Sequence, residues 1–136
     1  MRTIKTLAVA VAILGGCMML NAKATAADNN TEYGIFTVKN PTNDPIHYQV
    51  KWGEDTKWES FTLEAGTSRW HAYPLDNFGL APKPYVRFDY ILNDDQVTWK
   101  SYNMKFYSST ALNAESGKPY FFRVSRDGTL LDLFAE

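Results

Sequence analysis

The residues of this chain able to move a proton or hold a metal are few and scattered. His71 is the better placed of the two histidines, with Asp76 soon after it and Asp89 in the next strand-like segment. A hydrolase-type site would use His71 as general base with one of these carboxylates orienting it. Such a site also needs a nucleophile. No serine stands in a Gly-x-Ser-x-Gly elbow, and the single cysteine, Cys17, belongs to a leader that processing removes or modifies. No catalytic residue is therefore assigned, and the competing reading makes His71 a strand residue with a polar partner. Zinc asks for three or four nitrogen, sulfur or carboxylate ligands. His47 and His71 fall in different strands, so neither a metal nor another cofactor is expected. The oxygen-rich clusters Asn93-Asp94-Asp95, Asp76-Asn77 and Asn43-Asp44 lack the EF-hand spacing. They are also the residues that turns favour, because their side chains bond nearby backbone. Paired carboxylates for glycoside hydrolysis must stand about 5–9.5 Å apart across a cleft. Here the acidic residues fall mainly at turn tips, with Glu59, Asp89 and Asp132 as exceptions.

Contact offers more than catalysis. Arg87 and Asp89 share one face of a strand, opposite Val86, Phe88 and Tyr90. A buried charge requires a partner, which predicts a cross-strand polar network holding Arg87 and Asp89 and drawing in Arg69 or His71. The rings Trp58, Trp70, Tyr73, Phe78 and Tyr85 gather in the sequence around an irregular stretch from Pro74 to Pro84. Exposed together, and with His71 beside them, they would form a ligand-binding surface that stacks on sugars or anchors a protein partner. The opposing reading places most of these rings in the core.

The elements that must position these residues are strands. From Tyr33 onward, short β-branched and aromatic runs are separated by Gly, Pro, Asn and Asp clusters, and no segment keeps a 3.6-residue period. The clearest run is Pro45 to Trp52, where Ile46, Tyr48, Val50 and Trp52 alternate with His47, Gln49 and Lys51. Further strands are predicted at Tyr33 to Lys39, Lys57 to Leu63, Thr67 to Tyr73, Tyr85 to Leu92, Val97 to Tyr107, Tyr120 to Ser125 and Leu130 to Phe134. Hairpins are expected between the first two, across Glu64-Ala65-Gly66, where glycine supplies a positive φ, across Asn93 to Gln96, and across Asp127-Gly128, a strong turn signal. About eight strands in this pattern predict an all-β, antiparallel two-sheet sandwich of immunoglobulin-like or related topology. A small closed β-barrel is the alternative.

Several strings are more particular than generic β sequence: Trp52-Gly53, Trp58, Phe61 through His71 (FTLEAGTSRWH), Pro84 through Asp89 (PYVRFD), Gly117-Lys118-Pro119-Tyr120 and Leu131-Asp132-Leu133-Phe134. Together they resemble small exported bacterial β-sandwich domains with no assigned activity, over Tyr33 to Phe134. The resemblance implies fold and export, and it carries no site residue across.

The first residues agree with export. Arg2 and Lys5 precede an almost wholly apolar run from Thr6 to Leu20, the pattern of a secretory signal. The run is shorter than the about 20 residues a membrane span needs, so no transmembrane span is expected in the mature chain. Ala24-Thr25-Ala26 fits ordinary signal cleavage and makes 1–26 the signal, 27–32 a polar lead-in and 33–136 one domain, periplasmic or extracellular. Leu14-Gly15-Gly16-Cys17 resembles a lipobox, and this alternative anchors the chain by lipid at Cys17. Either way no intramolecular disulfide forms. A core must then hold the domain, and all four Trp, all eight Tyr and all eight Phe lie after Asn30. Without Arg2, Lys5 and Lys23 the 14 basic residues fall to 11 against 15 acidic ones, near −4. Nucleic acid, which wants a basic footprint, is not an expected partner. The sequence thus points to a non-catalytic exported binding or structural module that acts by surface contact with a protein or glycan; nothing in it specifies an oligomer. The alternative is an enzyme built on His71 and an acidic partner.

Overall fold

The computed structural model describes residues 31–136; the leader, both cleavage readings and Cys17 lie outside the described residues. Nine strands follow one another: β1 (Tyr33–Lys39), β2 (Ile46–Trp52), β3 (Glu59–Leu63), β4 (Ser68–Pro74), β5 (Pro84–Asp89), β6 (Trp99–Asn103), β7 (Tyr107–Ser109), β8 (Lys118–Val124) and β9 (Leu131–Ala135). They form two sheets, one in the order β4-β1-β8-β9 with β7 also on β1, the other in the order β3-β2-β5-β6. The fold is a β-sandwich, not a closed barrel.

The described chain resolves into two compact units, one holding residues 31–37, 69–81 and 106–118, the other 38–68, 82–105 and 119–136. In the larger unit the inward residues of β2 and β5 meet those of β8. Phe122 stands edge-on to Phe88 with centroids 5.3 Å apart and lies 5.8 Å from Tyr48. Tyr48, Val86, Phe88 and Phe122 are fully buried. Each contributes roughly 1.5–3 kcal/mol by leaving water, so this apolar layer replaces the covalent staple the chain lacks. In the other unit, Ile35, Phe36 and Thr37 of β1 and His71 and Ala72 of β4 are buried. Gly117 lies so near β1 that a Cβ there would stand 2.4 Å from the Thr37 hydroxyl oxygen and 3.0 Å from the Phe36 carbonyl carbon.

Three expectations are corrected. β1 and β2 do not form a hairpin, and neither do β3 and β4: each pair divides between the sheets, so the loops at 40–45 and 64–67 are crossovers. The physical reason is Asn40, which is 1% exposed. Its side-chain amide donates to the carbonyls of Asp44 (2.7 Å) and Leu63 (2.9 Å), and its Oδ1 accepts from the Thr42 N–H and hydroxyl. Its backbone N–H donates to Thr67 and its carbonyl accepts from Gly66. Side chain and backbone together tie the two crossovers to each other. Thirdly, the stretch Val97 to Tyr107 is two strands. At Met104 the N–H donates to the Pro84 carbonyl, and at Lys105 it donates to the Tyr120 hydroxyl. β7 then pairs with β1, which makes nine strands where about eight are expected. The hairpins β5–β6 and β8–β9 are antiparallel neighbours as expected, and β2–β3 forms a further one.

Along one margin the sheets join. Leu130 forms a bridge with Ile91, the Leu131 N–H donates to the Tyr90 carbonyl, and the Leu92 N–H donates to Thr129. Nearby the Tyr102 hydroxyl donates to Asp132, whose carboxylate also lies 3.5 Å from the Lys100 ammonium.

Candidate functional site

The solvent side of the β3-β2-β5-β6 sheet holds the densest set of functional side chains among the described residues. Strand alternation turns Ile46, Tyr48 and Val50 inward and leaves His47, Gln49 and Lys51 outward. Register then sets the rows: Gln49 lies opposite Ser60 on one side and Arg87 on the other, and Arg87 opposite Ser101. Lys51 lies opposite Tyr85, and Tyr85 opposite Asn103. Trp99 on β6 sits opposite Asp89, and Trp58 just precedes β3, so the two indoles stand at diagonal corners.

Both indoles lean onto Arg87. The guanidinium carbon is 4.4 Å from the Trp58 ring centroid and 4.1 Å from that of Trp99. The Arg87 Nε–H donates to Gln49 Oε1 at 2.7 Å, and Gln49 Nε2 donates to the Ser60 hydroxyl. The Lys51 ammonium lies 4.8 Å from the Trp58 centroid and 5.7 Å from that of Tyr85, and it donates to the Glu54 carbonyl. Each cation–ring contact at an exposed position contributes roughly 0.5–1 kcal/mol, enough to fix the rotamers. Trp99 remains 44% exposed. The Tyr85 hydroxyl donates to the Glu54 carboxylate, and that bond, with some desolvation, pushes the phenol above its usual range. Such a face can stack rings on a flat partner and bond to it; nothing in this arrangement is a nucleophile paired with a base.

The expected residues are redistributed. Trp58 and Tyr85 come together around Lys51, whereas Trp70, His71, Tyr73 and Phe78 belong to the other unit. Trp70 and Tyr73 are half-buried in β4. Phe78 and Leu80, 85% and 62% exposed, sit at the tip of a turn folded by Asp76, whose carboxylate accepts the N–H of both. His71 is 7% exposed, with its ring 5.2 Å from that of Phe36. Burial, and then the charge of Arg69, lower its pKa from 6.5 to about 3, so it is a neutral interior imidazole at ordinary pH. Asp76 is engaged with its own turn, and Asp89 accepts the Thr98 N–H. In place of a bond between Arg87 and Asp89, Arg87 takes Gln49 and two indoles, and Asp89 takes the Thr98 N–H.

Trp99, Lys51 and Gln49 are the site residues that sequence reasoning missed. The signal for the last two was the alternation in β2 itself, which sets them on the outward side. Among the described residues no group of three or more His, Cys, Asp or Glu is placed to hold a metal ion, and no helix is long and apolar enough to cross a membrane. No protein-family model matches the chain, and no curated protein or solved structure matches it either.

Proposed function

We propose that this chain is an exported, non-catalytic module that works by surface contact, and that the solvent side of the β3-β2-β5-β6 sheet is its contact face. The observation that carries the reading is the stack of Trp58 and Trp99 on Arg87, with Lys51 and Tyr85 beside it. Aromatic rings and arginine dominate binding energy at interfaces, and here they are held outward in fixed positions. Export rests on the basic start and apolar run of the leader. The partner is a protein or a glycan.

The test compares the wild-type chain with the Trp58→Ala/Trp99→Ala variant on a glycan array and in pull-downs from envelope extracts. A ligand retained by the wild type is expected to be lost by the variant while circular dichroism stays the same. Equal retention by both proteins would remove this face from consideration.

A further inference from the structure

We infer that the contact face recognises an acidic polysaccharide, with the Arg87 guanidinium and Lys51 ammonium receiving its carboxylates. The inference rests on the contact reading above and names the ligand class for it. Its first support is a charge left unmatched. Among the described residues Lys39 pairs with Glu136 and Lys100 with Asp132, whereas neither Arg87 nor Lys51 has a carboxylate within ion-pair distance. The two acids at the rim are already turned to donors of the chain, Glu54 to the Tyr85 hydroxyl and Asp89 to the Thr98 N–H. Arg87 spends its Nε–H on Gln49 and has no other hydrogen bond among the described residues, so its terminal nitrogens are available as a planar fork for a carboxylate. The flanking indoles hold that fork in place before any ligand arrives, which reduces the entropy lost on binding.

The second support is what the face lacks. Its outward positions on β2, β5 and β6 carry rings, hydroxyls, amides and charges, and no aliphatic side chain. Aromatic rings and arginine serve a protein partner as well as a glycan, so the choice of a glycan rests on the polar groups around them. A sugar chain offers ring faces for Trp58, Tyr85 and Trp99 and vicinal hydroxyls for short polar groups such as Ser60, Ser101 and Asn103.

The experiment measures binding of the purified protein to polygalacturonate, alginate and hyaluronan, each beside its carboxyl-reduced form, with poly-glutamate in parallel. The wild type is expected to bind at least one acidic polymer and to bind its reduced form roughly 10- to 100-fold more weakly. Arg87→Gln should lose more on the acidic polymer than on the reduced one, and added salt should weaken the wild type more than the variant. Lys51→Gln, which keeps Arg87 and both indoles in the chain, should lose in the same direction and covers the case in which Arg87→Gln unfolds. Equal affinity for acidic and reduced polymers, lost in Trp58→Ala/Trp99→Ala, overturns the carboxylate subsite and leaves the contact face standing. Poly-glutamate bound as tightly as any polysaccharide overturns the glycan assignment, and binding to none of the three acidic polymers overturns the inference as a whole.

Discussion

Acidification should weaken this fold before its carboxylates titrate, and His71 sets the window. The folded chain holds His71 neutral, with a pKa lowered from 6.5 to about 3 by burial and by Arg69. The unfolded chain therefore takes up the proton first. The stability linked to this group is complete above pH 6.5 and is lost as pH falls toward 3. With those two values linkage gives a loss of about 2 kcal/mol at pH 5, about 3 kcal/mol at pH 4 and about 5 kcal/mol once both states are protonated. A small domain has roughly 5–15 kcal/mol to lose. In urea, with a slope of about 1–3 kcal/mol per molar, the unfolding midpoint should drop by roughly 1 M between pH 7.5 and 5. Asp127 and Asp132, whose pKa values are lowered from 3.8, act only below that range. The control is His71→Gln: it should start less stable at pH 7.5 and then hold a nearly constant midpoint down to pH 5. A variant that loses stability with pH as steeply as the wild type would refute the reasoning, as would a His71 ring that titrates by NMR near 6.5.

Other perturbations follow from the same structure. Asn40→Ala should cost about 1–3 kcal/mol in denaturant unfolding, since it strips the buried Leu63 carbonyl of its Asn40 donor, whereas the Asp44 carbonyl is exposed and keeps the Thr42 hydroxyl. Gly117→Ala places its Cβ against β1 backbone and should cost about 1–3 kcal/mol by thermal melting. Gly128→Ala meets no neighbour and strains only its positive φ of 78°, so it should cost about 1 kcal/mol. Asp132, against the effect of burial, is held below the usual carboxylate range by the Tyr102 hydroxyl, the Leu133 N–H and Lys100. Tyr102→Phe should therefore raise its pKa, a shift readable in its carboxyl resonance.

Local chemistry was legible in the residues, and long-range pairing was not. The alternation of Ile46, Tyr48 and Val50 with His47, Gln49 and Lys51 announced both the strand and its two faces, and Asp127-Gly128 announced a hairpin that exists. The loop at Pro41 to Pro45 was equally visible as a loop, yet its destination depended on where the Asn40 amide finds acceptors. One acceptor, the Leu63 carbonyl, is remote in sequence, and no local preference encodes it. The break at Met104 to Phe106 was hidden for the same reason, because distant Pro84 and Tyr120 accept its N–H groups. Trp58 and Tyr85 stand near a loop in the sequence, but sheet register brings them to one face and joins them to Trp99. Sequence distance was a poor guide to which rings share a surface, and strand parity a better one.

The junction at Ile91 and Leu130 has a consequence for colloidal behaviour. A strand at the margin of a sheet commonly exposes a ladder of unsatisfied amides on which another molecule can grow a cross-β contact, and many proteins defend that margin with lysine or proline. Here the opening of β9 is already taken on both flanks, by β8 and by the segment running on from β5. The polypeptide blunts its own fibril template with its own main chain, a safeguard that no substitution of surface charge would remove.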